Sequence, residues 1–218
     1  PNIPKFKGLE SFKGASFHSS EWDYEFDLEG KNVAVIGTGA SAVQFVPEIA
    51  PNVNHLYVFQ RTPHWIVPKP DRKFFGFEKS IFKWFPLFQK LYRNLIYWVF
   101  ESRGYLMLGN KTFAKYANAI GTLHLKKQIK NPKLREALTP NYQLGCKRIL
   151  PSNDFYPILN RSNVTLVTNS IREIDEHCIL DSEGNEIAID AIIFATGFFA
   201  AEVDLKMEIL GRSGRDLM

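Results

Sequence analysis

The stretch Asn32-Val-Ala-Val-Ile-Gly-Thr-Gly-Ala-Ser-Ala42 decides the fold of this chain. Its first five residues are mostly apolar and rich in β-branched side chains, a composition typical of a buried parallel strand. The glycine turn that follows, Gly37–Ala42, has the form G-x-G-x-x-A and opens a segment that predicts a helix over Ala40–Ala50. Because the glycines lie between a strand and a helix, the stretch matches the dinucleotide-binding fingerprint.

Each small residue of the turn has a distinct role in that fingerprint. Gly37 permits the tight turn, Gly39 lets a pyrophosphate approach the backbone, and Ala42 allows close packing of helix on strand. The pyrophosphate would rest on the N–H groups and the positive dipole at the helix N-terminus. The residues expected to contact the dinucleotide here are Gly37, Thr38, Gly39, Ala40, Ser41, Ala42 and Gln44. The alternative is a glycine-rich turn without a ligand.

The end of the second strand, Leu56–Phe59, indicates which dinucleotide binds. An NAD-specific fold places Asp or Glu here, about 20 residues beyond the fingerprint, to bind the ribose 2′-hydroxyl. This chain has Arg61 and Thr62 instead. A guanidinium offers forked, charge-assisted donors that suit a 2′-phosphate, so the sequence favours NADPH over NADH. The alternative is a surface arginine that opens a loop.

The rest of the chain predicts an α/β fold with a helical insertion. Residues 71–140 have a helical pattern that is too long for a single connection, whereas strands return beyond residue 160. The predicted strands are Val164–Val167, Ser170–Ile174, Cys178–Asp181, Glu186–Ile189 and Ala191–Phe194. We therefore predict a Rossmann-like nucleotide-binding domain over 31–70 and 141–200, with the insertion over 71–140.

Composition narrows the class of protein. The chain has 218 residues, a net charge of +4 and two cysteines. Cys146 and Cys178 show neither metal-ligand spacing nor a disulfide framework, so we expect no metal site and a cytoplasmic, reducing compartment. The basic residues are not interleaved with aromatic residues in any recognisable nucleic-acid-binding module, so we expect no nucleic-acid partner.

The insertion is dense in aromatic residues between 74 and 105. Pro86 is expected to kink or divide its helix. At helical spacing one face carries Ile81, Trp84, Phe88, Leu91, Leu95 and Val99. The charged residues of this stretch argue against a transmembrane span. Two interpretations remain: the stretch packs on the nucleotide domain and borders a substrate channel, or it makes a peripheral contact with a membrane surface.

A second motif precedes the nucleotide fold. The stretch Phe12-Lys-Gly14-Ala-Ser-Phe-His18-Ser-Ser-Glu-Trp22-Asp23 has the form F-x-G-x-x-x-H-x-x-x-W-D. It resembles the fingerprint of the Baeyer–Villiger monooxygenases, in which it lies in a linker between two nucleotide domains. Related flavin monooxygenases that oxygenate nitrogen or sulfur carry a similar motif without the final Trp-Asp. The resemblance implies that residues 1–30 form the linker and that His18 contributes to the cofactor region.

Three further segments are similar to the same family: Phe59–Pro63, Leu144–Arg148 and Phe194–Phe198. The resemblance implies that Lys147 contacts the phosphate or ribose of NADP, and that Arg148 is the catalytic residue, a fixed cation aimed at developing oxyanion charge. It also places Thr196 and Gly197 at the second crossing between the nucleotide domains.

The activity implied by the resemblance is insertion of one oxygen atom of O₂ next to a ketone carbonyl, which gives an ester or lactone, with NADPH and FAD as cofactors. The family's FAD-binding G-x-G-x-x-G precedes everything in this sequence, so we expect a piece of a longer protein, with the flavin site mostly outside it and 201–218 as the start of the return to the FAD domain. The alternatives are an N- or S-oxygenating flavin monooxygenase and a non-catalytic NADPH-binding module. A short-chain reductase is disfavoured because no Tyr-x-x-x-Lys is present.

Overall fold

The computed structural model of the protein describes residues 1–102, 104, 111–199 and 210–211. A parallel sheet of five strands lies at its centre, and every pair of neighbouring strands in it is parallel. In spatial order the strands are β1 (Ala15–His18), β10 (Ala191–Phe194), β2 (Asn32–Ile36), β3 (His55–Phe59) and β6 (Val164–Val167). Residues 201–209 and 212–218 of the predicted return segment lie outside the described residues.

The other elements are arranged around this sheet. The helices are α1 (Ala40–Ile49), α2 (Gly76–Trp84), α3 (Pro86–Glu101), α4 (Lys111–Gln128), α5 (Pro132–Ala137) and α6 (Phe155–Ile158). A two-stranded parallel pair joins β4 (Ile66–Val67) to β5 (Leu150–Pro151). An antiparallel sheet contains β7 (Ile171–Ile174), β8 (Cys178–Asp181) and β9 (Glu186–Ala188).

Both faces of the parallel sheet are buried, as its nearly continuous apolar strands require. Val33 and Val35 pack with residues of α1 and α6 in one cluster. Ala34 and Ile36, whose side chains alternate to the other face, pack with the antiparallel sheet through Ile179. The molecule thus has three layers, and the predicted α/β fold is confirmed.

The first thirty residues are more ordered than the linker expected from the sequence. Leu9–Ser11 form a turn of 3₁₀ helix, and Ala15–His18 form the edge strand β1 of the central sheet. Gly14 shows why this approach needs glycine, since a Cβ there would lie 2.1 Å from the carbonyl oxygen of Asp190. The predicted linker thus contains regular structure, because the edge of β10 supplies hydrogen-bonding groups with which residues 15–18 pair.

The insertion confirms one prediction and corrects another. Pro86 divides the helical segment, since α2 ends at Trp84 and α3 begins at Pro86. However, neither α2 nor α3 buries a single residue, so within the described residues the apolar face does not pack on the nucleotide domain, as the first of the two interpretations required. The helices instead pack on each other through Phe74, Phe82 and Tyr92.

Helices in the described part of the chain lack the combination of length and hydropathy that crossing a bilayer demands.

Candidate functional site

The carboxyl ends of the parallel strands lie level at one edge of the sheet. His18 is paired with Phe194, Phe194 with Ile36, and Ile36 with Phe59. Most of the predicted site residues lie at or just after these carboxyl ends. His18 is the last residue of β1, and the glycine turn follows β2. Arg61 and Thr62 follow β3, and Thr196 and Gly197 follow β10. The chain runs from β2 through α1 to β3, which is the neighbour of β2 on one side, whereas β10 is its neighbour on the other side. Ligands of open α/β sheets bind at such a switch point.

The two glycines of the turn differ in whether the fold itself excludes a side chain at their positions. Gly37 has a φ of 107°, and a Cβ there would lie 2.6 Å from the carbonyl oxygen of Ala195. Gly39 has an ordinary extended backbone, and a Cβ there would meet only that same oxygen at 4.0 Å. The fold therefore requires Gly37, whereas the space beside Gly39 is filled by nothing in the described chain.

The N-terminus of α1 is left open. Gly39 is its N-cap, no side chain caps it, and its first turn contains no acidic residue. The first N–H groups of a helix have no partner within the helix, and together with the dipole they attract an anion. Ala42 is fully buried against the sheet, as the fingerprint requires, while Ser41 and Gln44 are exposed beside the open end. This end of the helix is suited to a pyrophosphate.

In the segment after β3, Gln60 is held by a hydrogen bond, whereas the side chain of Arg61 is exposed. Gln60 is buried and its amide donates a 2.8 Å hydrogen bond to the carbonyl of Ala137. Arg61 is exposed, and within the described residues it forms no ion pair. Its guanidinium is therefore available to a ligand.

Lys147 is brought to this segment by contacts between distant parts of the sequence. The β4–β5 pair fixes the two stretches side by side, and the hydroxyl of Tyr142 donates a 3.1 Å hydrogen bond to the carbonyl of Pro63. The indole N–H of Trp65 donates in return to the carbonyl of Tyr142 at 2.7 Å. The Nζ atom of Lys147 lies 4.7 Å from the centre of the Tyr142 ring. Lys147 is thus held near the predicted phosphate-binding residues.

His64 belongs to the same cluster and was not predicted from the sequence. Partial burial lowers the pKa of its imidazole, and the positive charge of Lys147 lowers that pKa further. Its Nδ1 atom is buried and finds no hydrogen-bond partner in the described chain. Its only sequence signal is that it closely follows Arg61 and Thr62.

Arg148 is exposed, and among the described residues it makes neither a hydrogen bond nor an ion pair. No contact of these kinds joins it to His18 or to the glycine turn in the part of the chain that the structure describes. Its free guanidinium suits a role toward a ligand, and its catalytic assignment stays a prediction.

His18 is almost completely buried, with 1% of its surface exposed. Its Nδ1 accepts a hydrogen bond from the backbone N–H of Ser20 at 3.2 Å and lies 2.7 Å from the Ser20 hydroxyl. Because Nδ1 accepts, the neutral ring carries its proton on Nε2, a buried atom without a partner in the described residues. The Phe198 ring lies 5.4 Å away, on the segment that follows β10. The motif histidine thus links the two crossing segments.

Trp22, near the end of the motif, packs on neighbouring aromatic side chains. Its ring makes edge-to-face contacts with Phe17 and with Phe45 of α1, each at 5.3 Å between centroids. The motif is therefore fixed to the helix whose N-terminus opens the site.

Thr196 and Gly197 connect the crossing segments more directly. The Thr196 hydroxyl donates to the carbonyl of Asn2, and the N–H of Asn2 donates to the carbonyl of Gly197 at 2.9 Å. The hydroxyl of Thr196 is therefore engaged within the chain. Contact of Thr196 and Gly197 with a cofactor stays a prediction.

Comparison with known proteins supplies the deciding observation. The model of the family described as flavin-binding monooxygenase-like matches residues 1–207. The chain belongs to this family. Flavin-binding monooxygenase-like membership explains why the motif around His18 and the glycine turn occur together in one chain.

Relatives and solved structures agree with this assignment. The chain is 49% identical to a Baeyer–Villiger monooxygenase of Pseudomonas aeruginosa, over 100% of this chain and 41% of the relative. It is 40% identical to a Baeyer–Villiger monooxygenase of Streptomyces coelicolor, over 100% of this chain and 42% of the relative. A steroid monooxygenase bound to NADP superimposes with a TM-score of 0.81 at 29% identity, covering 99% of this chain and 48% of that one. The chain thus spans about two fifths of the length of these curated relatives.

Proposed function

We propose that this chain is the NADPH-binding part of an FAD-dependent monooxygenase that converts ketones to esters or lactones. The observation that carries the proposal is the open edge of the sheet, where the uncapped N-terminus of α1 follows a glycine turn. No contact among the described residues requires its second glycine, Gly39, to lack a side chain. A reductant site built on residues 31–70 and 141–200 accounts for both features. Cys146 and Cys178 are both free thiols, which fits a cytoplasmic enzyme.

The residues present fit NADPH. The glycine turn and α1 would hold the pyrophosphate, because a backbone without a side chain at Gly39 lets the phosphates reach the helix N–H groups. Arg61 and Thr62 would bind the 2′-phosphate, with Lys147 adding a second positive charge from the opposite stretch. Arg61 follows β3, at the point where NAD-specific folds place a carboxylate, and its positive charge favours the phosphorylated dinucleotide.

In the complete protein NADPH would supply hydride to FAD, and the reduced flavin would activate O₂. The part played by this chain is to bind the nucleotide and to place positive charge at the reaction. Arg148 would stabilise the negative charge that develops when oxygen adds to the ketone carbonyl, because a preorganised cation acts most strongly where charge appears in the transition state. Arginine stays protonated, so its contribution is charge and hydrogen-bond donation.

A second candidate, oxygenation of nitrogen or sulfur, is disfavoured by Trp22. The structure gives this residue a packing role against α1, and the flavin monooxygenases of that branch lack the Trp-Asp ending. A non-catalytic NADPH-binding module describes the isolated piece of chain, because the proposed flavin site lies mostly elsewhere.

The function is tested on the complete protein with NADPH, ¹⁸O₂ and matched substrates. We expect a ketone to yield an ester that carries one ¹⁸O atom, with one NADPH consumed for each ester formed. A sulfide substrate is the control. Exclusive formation of sulfoxide, with the ketone untouched, would place the protein in the other branch.

Gly39→Ala is predicted to weaken NADPH binding without harming the fold. A Cβ at this position meets nothing closer than 4.0 Å in the described chain, but it would occupy the path of the pyrophosphate. We expect the Kd for NADPH to rise about 10- to 100-fold, while the unfolding midpoint stays within about 2 °C. Isothermal titration and thermal unfolding measure the two quantities.

Gly37→Ala is the matched control, because it adds the same methyl group two residues earlier. Here the positive φ and the carbonyl at 2.6 Å make the new side chain strained. We expect a loss of about 2–4 kcal/mol in the free energy of unfolding. If Gly39→Ala leaves NADPH affinity unchanged, the assignment of the turn to the pyrophosphate is wrong.

A further inference from the structure

The helical hairpin over residues 74–101, which we call the aromatic hairpin, is an exposed apolar surface that the described chain does not cover. Its two helices, α2 and α3, contain no buried residue. One side of α3, read at helical spacing, is apolar and exposed, and its members are Leu87, Phe88, Leu91, Leu95, Ile96, Trp98 and Val99. Monomeric soluble proteins rarely leave so continuous an apolar surface in water.

The largest side chains of the aromatic hairpin point into solvent. Trp84 is 74% exposed and Trp98 is 67% exposed. The contacts among Phe74, Phe82 and Tyr92, with centroids 5.5–5.7 Å apart, hold α2 against α3. Since that inner cluster already stabilises the hairpin, the outer apolar face is not needed to hold the two helices together.

Charge identifies the environment that suits this surface. Residues 69–101 contain seven basic and three acidic side chains, a net charge of +4 that equals the net charge of the whole chain. Two of the three acidic groups are neutralised by ion pairs, Asp71 with Lys69 at 2.8 Å and Glu78 with Arg72 at 2.6 Å. The remaining basic residues have no ion pair within the described residues: Lys73, Lys79, Lys83, Lys90 and Arg93.

The combination of residues favours a lipid surface over a protein partner. Protein interfaces are depleted of lysine, whereas helices that lie in a bilayer interface carry lysine and arginine on one side and tryptophan, phenylalanine and leucine on the other. On α3 the polar side holds Lys90 and Arg93, opposite the face that contains Leu91 and Leu95. Tryptophan and tyrosine are also the residues that prefer the level of the headgroups.

We propose that the aromatic hairpin is a membrane-docking site, which lies in the interfacial plane of a bilayer that contains anionic lipids. Trp84, Leu87 and Trp98 enter the boundary between headgroups and acyl chains, and the unpaired lysines contact the lipid phosphates. The proposal does not depend on the reaction that the protein catalyses.

The proposal is tested by sedimentation of the complete protein with vesicles of phosphatidylcholine alone and of phosphatidylcholine mixed with phosphatidylglycerol. We expect strong binding to the mixed vesicles and weak binding to the neutral ones. Lys79→Gln, Lys83→Gln and Lys90→Gln should each lower the partition coefficient about fivefold on mixed vesicles. Binding should also shift the tryptophan emission to shorter wavelength, because Trp84 and Trp98 leave water.

A pair of double variants tests the apolar face. Leu87→Glu with Trp98→Glu should lower the partition coefficient about 100-fold, because two charges enter the face that would be buried in lipid. The matched control is Leu123→Glu with Tyr116→Glu on α4, since these side chains are 65% and 66% exposed, as against 66% and 67% for the test pair. The control should bind vesicles like the unaltered protein.

Three results would overturn the proposal. The unaltered protein remains in the supernatant with both kinds of vesicle. The control variant loses binding as much as the test variant. In the third, the test variant, measured in the absence of lipid, has an altered oligomeric state or a lower unfolding midpoint. That result would show that another protein surface covers the hairpin.

Discussion

Arg148→Ala in the complete protein is expected to reduce ester formation about 1,000-fold while flavin reduction by NADPH proceeds at nearly its normal rate. The physical reason is that Arg148 is exposed and makes no ion pair or hydrogen bond among the described residues. Its removal therefore costs the fold little. The cation is needed only when negative charge develops on the oxygen that attacks the ketone, so reduction and oxygenation respond differently.

The measurement is anaerobic stopped-flow reduction by NADPH, followed by product analysis after O₂ is admitted. Arg172→Ala is the control, because Arg172 is also an exposed arginine but lies on the antiparallel sheet, where its guanidinium is 3.6 Å from the carboxylate of Glu173. It should leave both rates unchanged. Normal ester formation by the Arg148 variant would remove this residue from the chemistry.

Arg61→Ala is expected to raise the Kd for NADPH about 100-fold and the Kd for NADH less than about threefold. Only NADPH carries the 2′-phosphate, and only a phosphate can use the forked guanidinium that follows β3. Lys147 stays near this position in the variant, held by Tyr142 and Pro63, so some preference for NADPH should survive. Titration of both nucleotides into one preparation gives the ratio directly.

Arg161→Ala serves as the control for Arg61→Ala. Its guanidinium bonds to Asn163 at 3.0 Å in the turn before β6, so it tests whether loss of any exposed arginine weakens nucleotide binding through net charge alone. Equal losses for NADPH and NADH in the Arg61 variant would contradict a 2′-phosphate site.

The central strand, the glycine turn and α1 could be predicted because their signals are local. A β-branched run, two glycines and an amphipathic segment follow one another between 32 and 50, and each determines its own backbone conformation. The edge strand β1 was not predicted, because Ala-Ser-Phe-His has no strong strand pattern. It becomes a strand only because β10, about 175 residues later in the sequence, presents hydrogen-bonding groups to it.

The cluster of His64, Tyr142 and Lys147 was beyond prediction for the same physical reason. Its two halves lie on different sides of the insertion, and two-residue strands at Ile66 and Leu150 bring them together. A pair of that length leaves no periodicity in a sequence. The resemblance to a family indicated Lys147, but no pattern indicated that an imidazole with a lowered pKa would lie beside it.

The aromatic hairpin shows a different limit. Helical spacing correctly predicted an apolar face and a break at Pro86. Periodicity indicates that a face avoids water, but it does not indicate what covers that face. The pattern alone could therefore not decide between packing on the nucleotide domain and contact with a membrane surface.

The close approach of Gly37 to Ala195 has a mechanical consequence. A turn so near a carbonyl oxygen cannot shift toward it, and Ala195 in turn precedes Thr196, whose hydroxyl is bonded to Asn2. These contacts join three segments that are remote in sequence. The beginning of the chain is therefore connected to the proposed nucleotide site through Thr196 and Ala195.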